Sequence, residues 1–194
     1  MENTAKKFPV SLGYCGVGYV LETGSEVLDL KKNDRVLVYH GHHSNYNVIN
    51  RNRLTLVEDE QISSLDAAFT IIAAMSLGGV RKTKIEIGES AMVMGQGILG
   101  IFATQLCRIN GANPVIAVDL SEERRKQALN LGADYALDPS DEFFVDKVKE
   151  ITKGKGVNAI VEVTGVSQAM KQALYCAAER ARIALLGCTR VSDC

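Results

Sequence analysis

The chain has 194 residues, of which 46% are apolar and 23% charged, and its formal net charge is −1. This length can bury a core, and the composition is typical of a folded globular protein rather than a disordered chain. The balanced charge argues against nucleic acid and anionic membranes as partners, because no basic excess is present to bind phosphate.

The targeting and cysteine signals predict a reduced, cytoplasmic protein. No apolar tract is long enough to cross a bilayer, and the first seven residues lack the apolar core of a signal peptide. The five cysteines are scattered and form no C-x-x-C pair, which argues against a disulfide framework or a cysteine-rich zinc site. Cys107 and Cys176 lie in apolar stretches and are predicted to be small core residues.

Short β segments separated by turn residues fill the first part of the chain, from Phe8 to Val57. Strands are predicted over residues 16–21, 35–39 and 46–49, with glycine and Asn-Asp turns between them. Segments of this size predict a small β-barrel or sandwich, which we assign to residues 1–62.

The pattern changes near Ser63, after which short apolar strands alternate with amphipathic helices. Strands are predicted over residues 90–94, 114–118, 135–137, 158–163 and 182–186. Helices are predicted over residues 65–77, 98–110, 122–131, 142–152 and 167–178. Ser121 is a predicted helix N-cap, and Gly111 and Gly132 are predicted to follow helix ends. The alternation predicts an α/β domain over residues 63–194, with a doubly wound parallel sheet of about five strands.

A glycine-rich loop joins the first of these strands to the helix that follows it. The loop reads Gly95-Gln96-Gly97-Ile98-Leu99-Gly100. In this context, Gly95 permits a tight turn, Gly97 lets a pyrophosphate approach the backbone, and Gly100 lets the helix pack closely on the strand. The start of the helix supplies free N–H groups and a partial positive charge to the phosphates. The alternative is that the glycines only permit a tight turn.

An acidic residue follows at the distance that dinucleotide binding requires. Asp119 ends the second strand, nineteen residues after Gly100, where a carboxylate can bind the ribose hydroxyls of the adenosine. Its charge repels a 2′-phosphate, so NAD(H) is favoured over NADP(H). Arg124 is a candidate contact for the adenine or its ribose, and the alternative is a solvated arginine on the helix surface.

These features resemble the medium-chain dehydrogenase/reductase superfamily, which includes the zinc-type alcohol dehydrogenases. The resemblance extends from Phe8 to Cys194 and includes further stretches with similar patterns: residues 18–27 followed by 33–36, Leu131-Gly132-Ala133-Asp134, Val161-Glu162-Val163-Thr164-Gly165 and Leu185-Leu186-Gly187. It implies a partial GroES-like β-barrel before a Rossmann domain, in a chain truncated at both ends. It also implies cofactor contacts at Thr164, Gly165, Leu186 and Gly187.

The resemblance also indicates that a catalytic zinc is absent. Such a zinc needs three protein ligands. Tyr14 stands where the zinc enzymes carry a histidine ligand, and Thr70 stands near their cysteine ligand. The loop between Val36 and Tyr46 is too short for the family's structural zinc lobe. Cys15, beside Tyr14, is the alternative ligand.

Three histidines, His40, His42 and His43, share one loop. A metal site is one interpretation, because imidazole binds zinc, copper and nickel. The stretch that begins at His43 resembles one in relatives with altered zinc sites, which favours His43 as an acid/base or substrate contact. The alternative is an exposed loop histidine. Tyr14 is the second candidate for polarising a carbonyl group.

We therefore predict an NAD(H)-dependent oxidoreductase that transfers hydride between nicotinamide and a small alcohol or carbonyl substrate, without catalytic zinc. One alternative is a non-catalytic dinucleotide-binding module. The other is a zinc-independent enzyme similar to quinone reductases, which a preference for NADPH would indicate. The apolar strand over residues 182–186, with no sixth strand beside it, predicts a homo-oligomer.

Overall fold

The computed structural model describes residues 13–187. The chain forms two compact units, one up to Ile71 and the other from Ile72 onward. The domain boundary predicted after residue 62 lies nine residues earlier and stays a prediction. Three parts of the sequence predictions lie outside the described residues: the start of the β region at Phe8, and the thiols of Cys188 and Cys194.

The first unit contains a three-stranded antiparallel sheet in the order β1-β2-β3. The strands are β1 (Cys15–Tyr19), β2 (Arg35–Tyr39) and β3 (Leu54–Leu56). Val20, Leu30 and Val36 are buried together beside the sheet. This arrangement agrees with the small β domain expected from the sequence.

The strand predicted over residues 46–49 is wrong, because these residues form a loop. The Asn47 side chain accepts a hydrogen bond from the His42 amide at 2.9 Å and donates one to the His42 carbonyl at 3.1 Å. Such bonds from a side chain to nearby backbone compete with strand pairing. The third strand lies later, at β3, after a 3₁₀ turn over Arg51–Arg53.

Two helices replace the single helix predicted over residues 65–77. They are α1 (Ser64–Ala68) and α2 (Thr70–Thr83). The Ser63 hydroxyl caps α1 by accepting a hydrogen bond from the Asp66 amide at 3.0 Å. No described helix has the length and apolar character needed to cross a membrane.

The second unit contains a five-stranded, fully parallel sheet in the order β6-β5-β4-β7-β8. The strands are β4 (Ala91–Met94), β5 (Val115–Val118), β6 (Tyr135–Leu137), β7 (Val157–Glu162) and β8 (Ala177–Leu185). The helices between them are α3 (Ile98–Ile109), α4 (Glu122–Asn130), α5 (Phe144–Ile151) and α6 (Ser167–Cys176). The order reverses at β4, which places a crevice outside the carboxyl ends of β4 and β7.

Both faces of this sheet are covered, as in a doubly wound fold. On one face, Val80 of α2 and Cys107 of α3 pack on Val93. On the other face, Phe144 of α5 and Cys176 of α6 pack among the side chains that include those of Met92 and Met94. Because every residue of β4 and β5 is buried, these strands are apolar throughout. The predicted α/β class and five-stranded sheet are confirmed.

The helix boundaries of the second unit follow the predicted capping signals. The Ser121 hydroxyl accepts a hydrogen bond from the Arg124 amide at 3.4 Å. Gly111 and Gly132 have φ of 91° and 109°, the left-handed conformation that ends a helix. Helix α5 begins two residues later than predicted, where the Asp141 carboxylate accepts a hydrogen bond from the Phe143 amide at 2.8 Å.

Cys107 and Cys176 are buried core residues, as predicted. Burial raises the pKa of the Cys107 thiol to about 12 and that of Cys176 to about 11. Both thiols are therefore protonated at pH 8, and a protonated, buried thiol is a poor nucleophile. We expect peptide mapping after iodoacetamide treatment at pH 8 to find both cysteines unmodified in the folded protein and modified after unfolding. Rapid labelling of either in the folded protein would contradict this packing.

Candidate functional site

The glycine loop between β4 and α3 is folded tightly against its own helix. Gly95 has φ of 93°, and a Cβ built on it would lie 2.8 Å from Cγ2 of Thr164. A Cβ on Gly100 would lie only 1.8 Å from the carbonyl oxygen of Gly95. The protein's own packing therefore requires glycine at both positions.

Gly97 differs from these two glycines because nothing in the described structure requires it. Its backbone is extended, with φ of −71° and ψ of −171°, and a Cβ built on it would meet no atom within 4 Å. Gly97 is also the N-cap of α3, so the amides that follow it have no acceptor inside the helix. The space around the Cβ position of Gly97, at the start of α3, is therefore open.

The Gln96 side chain is fully buried and links the loop to the strand before it and the helix after it. Its Nε2 donates to the carbonyl oxygen of Val93 at 3.0 Å, and its Oε1 accepts from the Thr104 hydroxyl at 3.0 Å. The polar atoms of the side chain are thus engaged within the protein. Thr104 was missed from the sequence, although it is a polar residue on the otherwise apolar inner face of α3.

Asp119 connects the glycine loop to the start of α4. Its Oδ2 accepts from the Gln96 amide at 2.7 Å, and its Oδ1 accepts from the Ser121 amide at 2.8 Å. Each carboxylate oxygen has two lone pairs, so each of the two oxygens of Asp119 can accept one further hydrogen bond. Nη1 of Arg124 lies 3.7 Å from Oδ2, and the arginine side chain is 56% exposed whereas that of Asp119 is 10% exposed. Asp119 and Arg124 thus lie together beside the glycine loop.

Arg125 was also missed from the sequence, and it holds the backbone that carries Asp119. Its Nη1 donates to the carbonyl oxygens of Asp119 and Leu120 at 2.7 and 2.8 Å and to Oδ2 of Asp138 at 3.0 Å. Hydrogen bonds from Ser140, together with the charge of Arg125, lower the pKa of the Asp138 carboxyl group. The signal in the sequence was a second arginine beside Arg124 and an aspartate just after β6.

The ends of β7 and β8 meet beside the glycine loop. The amides of Leu186 and Gly187 donate to the carbonyl oxygen of Glu162 at 2.8 and 3.0 Å. A Cβ on Gly187 would lie 2.1 Å from the amide nitrogen of Gly165. The Leu186 side chain packs against Gly79 of α2. The predicted cofactor residues of the three loops after β4, β7 and β8 therefore come together, with Leu186 as a packing residue.

His43 and Tyr14, the two candidate catalytic residues, lie in the first unit. Both are exposed, and the His43 ring lies directly over Gly13, where a Cβ would be 1.8 Å from Nε2. The Tyr14 ring packs near the rings of Tyr39 and His40, with centroids 6.4 and 6.5 Å away. Partial burial, followed by the neighbouring Cys15 and Tyr39, raises the pKa of the Tyr14 hydroxyl. His43 also borders a cavity of about 720 Å³ beside the antiparallel sheet.

The described residues do not fit a catalytic zinc. Across residues 13–187, no group of three His, Cys, Asp or Glu side chains is arranged to hold a metal ion. A catalytic zinc site uses three protein ligands. The histidine loop accordingly belongs to no such group among the described residues.

Comparison with known proteins identifies the family. The sequence model of the zinc-binding dehydrogenases matches residues 99–193. The (R,R)-butanediol dehydrogenase of Bacillus subtilis is 32% identical over 199 residues, which cover 88% of this chain and 56% of that protein. The chain belongs to the medium-chain dehydrogenase/reductase superfamily.

Further members of this superfamily agree in fold and sequence. The crystal structure of 2R,3R-butanediol dehydrogenase from Bacillus subtilis matches with a TM-score of 0.78 and 27% identity, over 96% of this chain and 60% of that chain. An L-threonine 3-dehydrogenase from Pyrococcus furiosus is 38% identical over 100 residues, which cover 52% of this chain and 29% of that protein. The chain thus spans less than two thirds of the length of each of these three relatives.

Proposed function

We propose that this chain binds NAD(H) at the carboxyl ends of β4, β5, β7 and β8. We further propose that it takes part in hydride transfer to or from a small alcohol or carbonyl compound. The observation that carries the proposal is Gly97, a glycine without a packing reason, at the open N-terminus of α3. Close approach of a pyrophosphate to the backbone supplies the missing reason.

The residues of the chain have separate roles in this proposal. The first amides of α3, from Ile98 onward, donate to the pyrophosphate, and the helix dipole favours its negative charge. The free lone pairs of Asp119 accept from the ribose hydroxyls, and its charge disfavours a 2′-phosphate. Arg124 lies against the adenosine. When bound, the nicotinamide supplies or accepts the hydride.

The substrate class is proposed from the names of the relatives. They are dehydrogenases of threonine and butanediol, both of which carry hydroxyl groups. We propose a small hydroxy compound or its carbonyl product, with His43 as the acid/base and Tyr14 as a second polar contact. Histidine is the side chain that enzymes use most often for general acid–base proton transfer.

Titration calorimetry with NAD⁺, NADH and NADPH tests the cofactor. We expect NADH to bind more tightly than NADPH, and no binding of any dinucleotide would overturn the proposal. A preference for NADPH would instead support the alternative similar to quinone reductases. An alcohol and aldehyde panel then tests turnover. Binding without turnover would favour a non-catalytic module. The replacement of the family's zinc ligands is an argument for this alternative.

We propose that the protein works without catalytic zinc, because Tyr14 stands where the zinc enzymes carry a histidine ligand and Thr70 stands near their cysteine ligand. Elemental analysis of protein purified without chelators is expected to find well under one zinc per chain. A protein of known zinc content, purified in the same buffers, is the control for metal loss. A stoichiometric amount of zinc would overturn this proposal.

We also propose a homo-oligomer and a cytoplasmic location, the latter from the cysteine usage. Strand β8 is an edge strand of the described sheet, and Leu185 on it is 59% exposed. An exposed apolar edge favours pairing with another chain. We expect light scattering to give the mass of a dimer or a larger assembly, and a monomer at high concentration would contradict the pairing.

A further inference from the structure

The carboxyl group of Glu162, the last residue of β7, is the most deeply buried acidic group near the proposed site. Its side chain is fully buried, and no lysine, arginine or histidine among residues 13–187 forms an ion pair with it. Burying an acidic group without a cation is costly unless hydrogen bonds compensate for the lost water. The hydrogen bonds that this group makes must therefore compensate for the lost water.

Those bonds all go to the turn that follows β7. The Glu162 Oε1 accepts from the Thr164 amide at 2.6 Å and from the Thr164 hydroxyl, and Oε2 accepts from the Gly165 amide at 3.1 Å. The same hydroxyl accepts from the Val166 amide at 3.1 Å, directly before α6. The carboxyl group thus fixes both the turn and the start of the helix.

This turn forms one wall of the glycine loop. The Cβ position of Gly95 lies 2.8 Å from Cγ2 of Thr164 and 3.1 Å from Cγ2 of Val163. The two loops are in close contact at this point, so the position of Thr164 limits where the backbone of Gly95 can lie. The position of the glycine loop beside the crevice is therefore linked to the carboxyl group of Glu162, which is itself buried.

We infer that Glu162 is a positioning residue, whose carboxyl group holds the Thr164–Gly165 turn against Gly95 and so keeps the glycine loop in its binding geometry. The inference rests on the proposed binding of a dinucleotide. A carboxylate suits this task because both of its oxygens are acceptors and the three groups around it are all donors. An amide has a single acceptor oxygen, and a thioether is a weak acceptor.

Two variants and a matched control test the inference. Glu162→Met keeps the length of the side chain but removes the acceptors, whereas Glu162→Gln keeps one of them. Asn158→Ala is the control, because Asn158 lies at the other end of β7, where its Oδ1 accepts from the Ser90 amide and hydroxyl at 3.1 and 2.9 Å. It removes a comparable polar contact away from the crevice.

We expect Glu162→Met to raise the NADH dissociation constant by about tenfold or more, because buried donors lose their acceptor. Glu162→Gln should recover part of this loss, and Asn158→Ala should leave the constant unchanged. Amide hydrogen exchange gives a second measurement. Thr164 and Gly165 should exchange faster in Glu162→Met, while the amides of β4 stay protected.

Each result decides between the inference and its alternatives. Unchanged NADH affinity in a folded Glu162→Met protein, or an equal loss in Asn158→Ala, would overturn the inference alone. If Glu162→Met does not fold, Glu162→Gln decides, and normal affinity with normal Gly165 exchange would overturn the inference. If the wild-type chain binds no dinucleotide, the proposed function fails and the inference fails with it.

Discussion

Gly97→Val is expected to abolish dinucleotide binding and to leave the fold intact. The extended backbone of Gly97 suits any residue, and its Cβ position is open. We expect a valine side chain at the N-cap of α3 to hinder the approach of a phosphate to the first amides of the helix. Losing two hydrogen bonds to a charged phosphate costs about 1.5–3 kcal/mol each, which corresponds to roughly a hundredfold or more in the dissociation constant.

Gly100→Val is the matched control, with the opposite expected result. Its Cβ would lie 1.8 Å from the Gly95 carbonyl oxygen, so the backbone must move. Overpacking of this kind typically destabilises a protein by about 1–3 kcal/mol or more. Thermal melts followed by circular dichroism, together with NADH titration, separate the two effects. A Gly97→Val protein that melts early, or one that binds NADH normally, would contradict the assigned role of Gly97.

Asp119→Asn is expected to weaken NADH binding by about 1–3 kcal/mol, the cost of losing a hydrogen bond to a charged group. The affinity for NADPH should fall less, because the charge that repels the 2′-phosphate is removed. Arg124, whose Nη1 lies 3.7 Å from the carboxylate, then becomes available to a phosphate. The expected outcome is a smaller ratio between the two dissociation constants.

Asp134→Asn provides a control with the same chemistry at the other end of β5. There the carboxylate accepts from Arg108 at 2.6 Å and from the Val115 amide at 2.8 Å. Titration calorimetry of both variants with NADH and NADPH measures the ratio. If Asp119→Asn and Asp134→Asn leave the ratio equally unchanged, Asp119 is not part of the cofactor site.

The second unit could be predicted from sequence because its signals are local. Strands β4 and β5 are short and wholly apolar, and Ser121, Gly111 and Gly132 mark helix ends through their own conformational preferences. The loop over residues 46–49 could not be predicted in this way, because Asn47 replaces strand pairing with bonds to a backbone five residues away. The break between α1 and α2, at Phe69, has neither proline nor glycine to mark it.

The same distinction applies to the candidate site. Gly95, Gly100 and Asp119 follow from a fixed spacing along the chain. Arg125 and Glu162 do not, because what they do depends on which strand ends meet. Arg125 acts through Asp138, which the pairing of β5 with β6 brings near it. Glu162 matters through the contact between Thr164 and Gly95, two residues far apart in sequence.

The two amides bound by Asp119 have a thermodynamic consequence. Because its carboxylate already holds both Gln96 and Ser121, the loop is ordered before any ligand arrives. The entropy cost of ordering the loop is then part of folding and not of ligand binding. The same contacts therefore give a higher affinity than they would with a disordered loop.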